Sequence, residues 1–193
     1  MPDVDGSLTG AMSKTEKGQR PAVVVIDEQD PGIKHKNNQW QELVLRHARK
    51  LGCTIILVEM KRKDQKKPSP TKTRLKKAST PSGLLSCFKP QPKVIHKLCN
   101  NAFIGTGLEY TVQDVGADTI VLMGQAAGAC IRHTAMGAKP ILSKDGTLLP
   151  KKGDFVKGAV GHGFKVWTST LLIWPSVKFD DKDHANVSWY SQI

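Results

Sequence analysis

Four short segments of strand length constrain the fold of this chain more than any other feature. Residues 22–26 (AVVVI) carry no polar side chain, which is typical of a strand buried on both faces of a parallel sheet. Helical patterns lie between the segments, at 40–51 and 107–115. The full set of predicted strands comprises residues 22–26, 53–58, 94–97 and 119–123. This alternation predicts an α/β fold, a three-layer sandwich with a mostly parallel, doubly wound central sheet.

A tight turn after the last of these strands leads to a cysteine. Residues 124–128 (GQAAG) are small except for Gln125, so the backbone can turn sharply and a ligand can come close. A helix is predicted from Cys130 to Met136, which puts the Cys130 sulfur at a helix N-terminus. The helix dipole and the unpaired amides favour a thiolate there.

Three chemically complementary residues follow predicted strands at the same edge of the sheet. Asp27 comes after the first strand, Lys97 ends the third, and Cys130 heads the helix after the fourth. A cysteine hydrolase needs a nucleophilic thiolate, a base and a positive charge that holds the ion pair, and these residues match those roles. Each also has an ordinary interpretation: Asp27 as a surface turn residue, Lys97 as a solvated lysine and Cys130 as a small core residue.

The length and composition of the chain limit its domain organisation and its expected cellular location. The 193 residues fit a single domain over 21–193, and we interpret 1–20 as a disordered leader without an apolar signal segment. No apolar run approaches the ~20 residues that a membrane span needs. The four cysteines form no CxxC pair and no metal-ligand spacing, which favours a reducing, cytoplasmic location.

Two insertions interrupt the predicted sheet. Residues 61–93 contain eleven Lys or Arg against one acid, Asp64, and account for much of the net charge of +12. This basic insertion is either a solvated loop or a contact for nucleic acid or another polyanion. Residues 139–158 contain Asp145-Gly146 between apolar flanks, a hairpin signal. Such a hairpin needs a cover, so we expect either a homo-oligomer or a lid over the active edge.

Three blocks of the sequence resemble the isochorismatase-like cysteine hydrolases. The blocks are residues 23–29 (VVVIDEQ), 94–108 (VIHKLCNNAFIGTGL) and 117–138 (ADTIVLMGQAAGACIRHTAMGA). The resemblance implies the isochorismatase-like hydrolase fold and a catalytic triad of Asp27, Lys97 and Cys130. It also implies a cis peptide between Gln125 and Ala126, with the amides of Ala126 and Cys130 forming an oxyanion hole.

The resemblance further predicts the substrate pocket and the chemistry. We expect Gln29, Phe103 and Gln125 to line the pocket of a small-molecule substrate. Nicotinamidase-type members carry an Asp-x-His metal motif that residues 58–64 (VEMKRKD) lack, so we expect no metal and no cofactor. The cysteine favours hydrolysis of an amide or ureido compound through a thioester. The alternatives are vinyl-ether hydrolysis of the isochorismatase type, or a weakened enzyme that binds an anionic partner.

Overall fold

A parallel β-sheet organises the part of the chain that the computed structural model describes, which comprises residues 4–16, 19–28, 38–60, 92–138, 155–176, 179 and 187–193. Its strands and a small separate ladder are β1 (Val4–Ser7), β2 (Ala22–Ile26), β3 (Ile55–Met60), β4 (Lys93–Lys97), β5 (Thr119–Gln125), β6 (Gly137–Ala138), β7 (Val156–Lys157), β8 (Lys165–Thr168), β9 (Ile173–Trp174) and β10 (Val187–Gln192). The helices are α1 (Leu8–Lys14), α2 (Asn38–Leu51), α3 (Leu108–Asp114), a π-helical turn (Ala127–Ile131), α4 (Arg132–Met136) and a 3₁₀ turn (Val160–His162).

The strand order is that of a doubly wound sheet. The order is β1-β10-β8-β5-β2-β3-β4, every adjacent pair is parallel, and β9 also pairs with β5. Every residue of β2 and β5 is buried, which explains why β2 is apolar throughout and why residues 120–123 of β5 are apolar. The predicted α/β class with a mostly parallel central sheet is therefore confirmed.

The parallel registers bring three strand ends to one edge of the sheet. Ile26 lies opposite both Val58 on β3 and Gly124 on β5. Lys97 lies opposite Met60, at the end of β3. The residues that follow β2 and β5, and Lys97 itself, are thus close neighbours, as expected for parallel strands.

The prediction of a disordered leader over residues 1–20 is wrong for residues 4–14. β1 pairs in parallel with β10 at the edge of the sheet, and α1 follows directly. Ser7 caps α1, because the Gly10 amide donates to its hydroxyl at 3.0 Å. Leu8 and Met12 lie one helical turn apart and are 0% exposed. Two large apolar side chains on one face of a short helix hold this segment against the core.

We predict that Leu8→Ala lowers the free energy of unfolding by about 2–5 kcal/mol, since it removes fully buried methyl groups and leaves a cavity. The matched control is Lys14→Ala in the same helix, whose side chain is exposed and whose change should stay within about 0.5 kcal/mol. Urea denaturation followed by circular dichroism measures both. Equal midpoints for Leu8→Ala and the parent protein would show that the segment adds nothing to stability.

Both predicted insertions lie largely outside the described residues. Residues 61–91 of the basic insertion and 139–154 of the predicted hairpin, with its Asp145-Gly146 turn, are not described, and their expected roles stay predictions. Around the second insertion, β6 and β7 form a two-stranded antiparallel ladder. Among the helices that are described, not one combines the length and the apolar character that crossing a membrane requires.

Candidate active site

A buried ion pair lies at the carboxyl edge of the sheet. The Lys97 ammonium Nζ is 2.7 Å from Asp27 Oδ2, and the side chains of these two residues are 0% and 13% exposed, respectively. A charge removed from water is costly unless it is paired, so each of the two groups requires the other. Strands β2 and β4 are not paired with each other, since β3 lies between them. The ion pair therefore spans the end of β3.

The backbone around Asp27 is held in an unusual conformation. Its φ angle is +53°, in the left-handed region, which aspartate tolerates better than most residues. Its amide donates to the Val58 carbonyl at 2.9 Å, and its carbonyl accepts a hydrogen bond from Gln125 Nε2. The next residue, Glu28, is buried and accepts from Gln41 Nε2 at 3.1 Å. These contacts fix the direction in which the Asp27 carboxylate leaves the strand.

The Cys130 thiol lies against this ion pair. The helix that carries it begins three residues earlier than predicted, with a π-helical turn in which the Ile131 amide donates to the Ala126 carbonyl at 3.1 Å. The peptide bond between Gln125 and Ala126 is cis. Cys130 is 8% exposed, and the charged side chains of Asp27 and Lys97 lie near enough to its sulfur to affect the pKa of the thiol.

Burial makes the Cys130 thiol harder to ionise than the sequence predicts. Burial raises the pKa of the Cys130 thiol to about 11; the positive charge of Lys97 lowers it, but the charge of Asp27 raises it again. Lys97 acts in the expected direction, but desolvation of the charged sulfur has the larger effect. At neutral pH the nucleophile candidate is a thiol, so a thiolate has to form by proton transfer to a neighbour.

A glycine before the cis peptide lets the two central strands approach closely. Gly124 has a φ angle of +119°, and a Cβ atom built there would lie 2.1 Å from the carbonyl oxygen of Ile26. No side chain fits that space. Because Ile26 directly precedes Asp27 and Gly124 directly precedes Gln125, this contact sets the distance between the base candidate and the nucleophile turn.

The three predicted pocket residues have different surroundings. Gln29 is outside the described residues. Gln125 is 8% exposed and its amide group bonds to the Asp27 backbone, so it supports the base candidate. Phe103 stacks on His162 with ring centroids 4.8 Å apart and also lies near Phe164. These contacts tie the Phe103 ring to the segment before β8.

The structure adds Asn100, which the sequence analysis missed. The Cys130 sulfur donates to Asn100 Oδ1 at 3.4 Å, and Lys97 Nζ donates to the Asn100 carbonyl, also at 3.4 Å. The available signal was its position three residues after Lys97, within the second of the family-like blocks. That signal is weak, because Asn101 beside it is equally polar. Asn101 instead bonds through Nδ2 to the Lys157 carbonyl at 2.8 Å.

Within the ranges that the structure describes, no group of three or more His, Cys, Asp or Glu side chains could hold a metal ion. The ion pair, the thiol and Asn100 form the chemically distinctive cluster at this edge of the sheet. A carboxylate beside a buried thiol can accept its proton, and a buried ammonium can stabilise the resulting negative charge.

Comparisons with known proteins identify the family of the chain and illustrate its fold. The model of the isochorismatase domain family matches residues 22–140, which is more than half of the chain. A search of curated protein sequences found no match. Three similar solved structures illustrate the shared fold.

N-carbamoylsarcosine amidase from Thermoplasma acidophilum is 18% identical, with a TM-score of 0.59 over 90% of this chain and 98% of that chain. A nicotinamidase from Staphylococcus aureus is 15% identical, with a TM-score of 0.60 over 90% and 98%. A pyrazinamidase of Pyrococcus horikoshii, solved in complex with zinc, is 15% identical with a TM-score of 0.59 over 90% and 99%. Since the family model matches more than half of the chain, including strands β2 to β5, and these structures share the fold, the chain belongs to the isochorismatase family and is a hydrolase.

Proposed function

We propose that this protein hydrolyses the C–N bond of a small amide or ureido compound through a thioester on Cys130, without a metal. The observation that carries the proposal is the placement of a buried thiol beside the Asp27–Lys97 ion pair, whose charged atoms are 2.7 Å apart. Burying an ion pair of this kind is costly and adds little stability compared with an apolar pair, so a chemical role explains it best.

Asp27 is the proton acceptor and donor in the proposed mechanism. Its carboxylate takes the thiol proton as the Cys130 sulfur attacks the substrate carbonyl carbon, and a tetrahedral intermediate forms. The same proton then passes to the leaving nitrogen, the C–N bond breaks and ammonia or an amine departs. A water molecule, deprotonated by Asp27, attacks the thioester, which releases the acid and restores the thiol.

Lys97 keeps a positive charge beside both reacting groups. Since burial raises the pKa of the Cys130 thiol to about 11, little thiolate exists before the substrate binds. Proton transfer is therefore coupled to the attack, and the Lys97 ammonium stabilises the sulfur and the carboxylate while charge moves between them. The amides of Ala126 and Cys130 are the proposed donors to the oxyanion that forms on the substrate oxygen.

A covalent adduct tests the proposal directly. The protein is incubated with a panel of primary amides and ureido compounds, quenched in acid and measured by intact mass spectrometry. We expect a mass increase equal to the substrate minus ammonia, located on Cys130 by peptide mapping and absent in Cys130→Ser. Release of the acid product with no adduct at any quench time, from both the parent protein and Cys130→Ser, would refute a thioester mechanism.

We also predict that chelators leave the hydrolysis unchanged. Residues 58–64 lack the Asp-x-His motif, and the described residues hold no cluster suited to a metal ion. Turnover is compared before and after dialysis against EDTA and 1,10-phenanthroline. Loss of activity that added zinc restores would contradict the prediction.

A further inference from the structure

Two acceptors near the Cys130 thiol differ in what they can do with its proton. One is the Asp27 carboxylate, which is a base and can remove the proton. The other is the neutral Oδ1 of Asn100, 3.4 Å from the sulfur, which can accept a hydrogen bond from S–H but cannot take the proton. A thiol has a single S–H group, so it points at one acceptor at a time.

The backbone of Asn100 is fixed from two sides. Its carbonyl accepts from Lys97 Nζ at 3.4 Å and from Thr134 Oγ1 at 3.3 Å. Thr134 is 1% exposed and lies on α4, the helix that follows the π-helical turn of Cys130. The same hydroxyl accepts from the Ala102 amide at 3.1 Å. The half-buried side chain of Asn100 is therefore presented to the sulfur by anchored backbone.

An acceptor for S–H stabilises the thiol relative to the thiolate. A thiolate donates no hydrogen bond, so its contact with Oδ1 would place a negative charge against the negative end of an amide dipole. The charged groups that face the sulfur are Asp27, at the end of β2, and Lys97, at the end of β4. Asn100, on the loop after β4, opposes the thiolate without adding a charge.

We propose that Asn100 is a positioning residue that holds the thiol proton away from Asp27 until an N–H-bearing substrate occupies Oδ1. This proposal rests on the proposed function and adds the event that starts proton transfer from Cys130 to Asp27, which is the binding of a substrate N–H group. An amide or ureido group that enters beside the sulfur brings its own N–H donors, which compete with the weaker S–H donor for Oδ1. The released thiol then donates to Asp27. An ester, which has no N–H, leaves the thiol on Asn100.

Alkylation rates test the proposal without any turnover, so its failure is distinct from a failure of the proposed function. Cys130 and Cys53 are alkylated in the same sample, and both are quantified by peptide mass spectrometry over a pH series. Cys53 is the internal reference, because it is also 8% exposed and burial likewise raises its pKa to about 11. A general loosening of the fold would accelerate both cysteines.

The first measurement concerns the pKa of Cys130. Asn100→Leu keeps the volume but removes the acceptor, so the pKa should fall by about one unit, and alkylation below that pKa should be about tenfold faster relative to Cys53. Asn100→Asp keeps the shape and adds a negative charge, so Cys130 should react more slowly. Equal or slower labelling of Cys130 in Asn100→Leu would overturn the proposal. If Asn100→Leu fails to fold, Asn100→Ala, which also removes the acceptor, takes its place with the same expected direction.

The second measurement tests whether an N–H group on the reagent releases the Cys130 thiol from Asn100. Iodoacetamide carries N–H donors and methyl iodoacetate does not, and the Cys53 rates correct for their intrinsic reactivity. We expect a preference of Cys130 for iodoacetamide that disappears in Asn100→Leu. The same corrected ratio in the parent protein and in Asn100→Leu would refute this role of the N–H group.

Discussion

Replacing Cys130 by serine is expected to reduce turnover by at least about 10³-fold, because a hydroxyl beside Asp27 is a far poorer nucleophile than the thiol. The substitution changes one atom of a side chain that is 8% exposed, so the fold and the ion pair below it should persist. Initial rates on any substrate found in the amide and ureido panel measure the loss. Melting temperature and circular dichroism show whether the structure is intact.

Cys53→Ser is the matched control for that experiment. Cys53 has the same exposed fraction as Cys130, and burial raises its pKa in the same way, but it precedes β3 at the opposite end of the strand from the ion pair. Its replacement should leave the rate constant unchanged. If Cys130→Ser keeps a tenth or more of the activity, or if both variants lose activity equally, Cys130 is not the nucleophile.

Gly124→Ala is expected to lower the free energy of unfolding by about 2–6 kcal/mol, the sum of backbone strain and overpacking in a buried strand. The new Cβ would lie 2.1 Å from the Ile26 carbonyl oxygen and 2.8 Å from the Ile26 amide nitrogen, and both belong to the central strand β2. Neither can move without breaking the sheet. A loss of this size is a large part of the stability of a typical domain.

Gly107→Ala provides the control for the glycine experiment. Gly107 precedes α3 with a φ angle of −89°, and a Cβ atom there would meet nothing within 4 Å. Its replacement should shift the urea midpoint little. Equal midpoints for Gly124→Ala and Gly107→Ala would mean that β2 and β5 tolerate a wider separation than their backbone contact suggests.

Much of the sheet could be predicted because its central strands are recognisable from their own apolar residues. β2 is apolar on every residue and β5 is apolar from residue 120 to 123, which indicates burial on both faces without knowledge of the neighbours. Asp27 directly follows the first of these runs, and Lys97 ends the short strand β4. Parallel strands share an edge, so the juxtaposition of these residues was predictable from local pattern alone.

The N-terminal segment could not be predicted, because its structure depends on distant partners. β1 has four residues and α1 has seven, which is too short for either to be stable alone. β1 becomes a strand by pairing with β10, at the other end of the chain, and α1 is held through Leu8 and Met12. A sequence of small and polar residues gives no sign of a pairing across such a separation.

The chain by itself thus determined the parallel sheet, its active edge and the residue types that meet there. Tertiary structure decided what surrounds them: burial that raises the pKa of Cys130 to about 11, the placement of Asn100 against the sulfur, and the stacking of Phe103 on His162. The physical reason is the distance along the sequence over which each effect acts. The burial of a strand can be predicted from consecutive residues, whereas desolvation and side-chain contacts depend on segments that come together only in the folded protein.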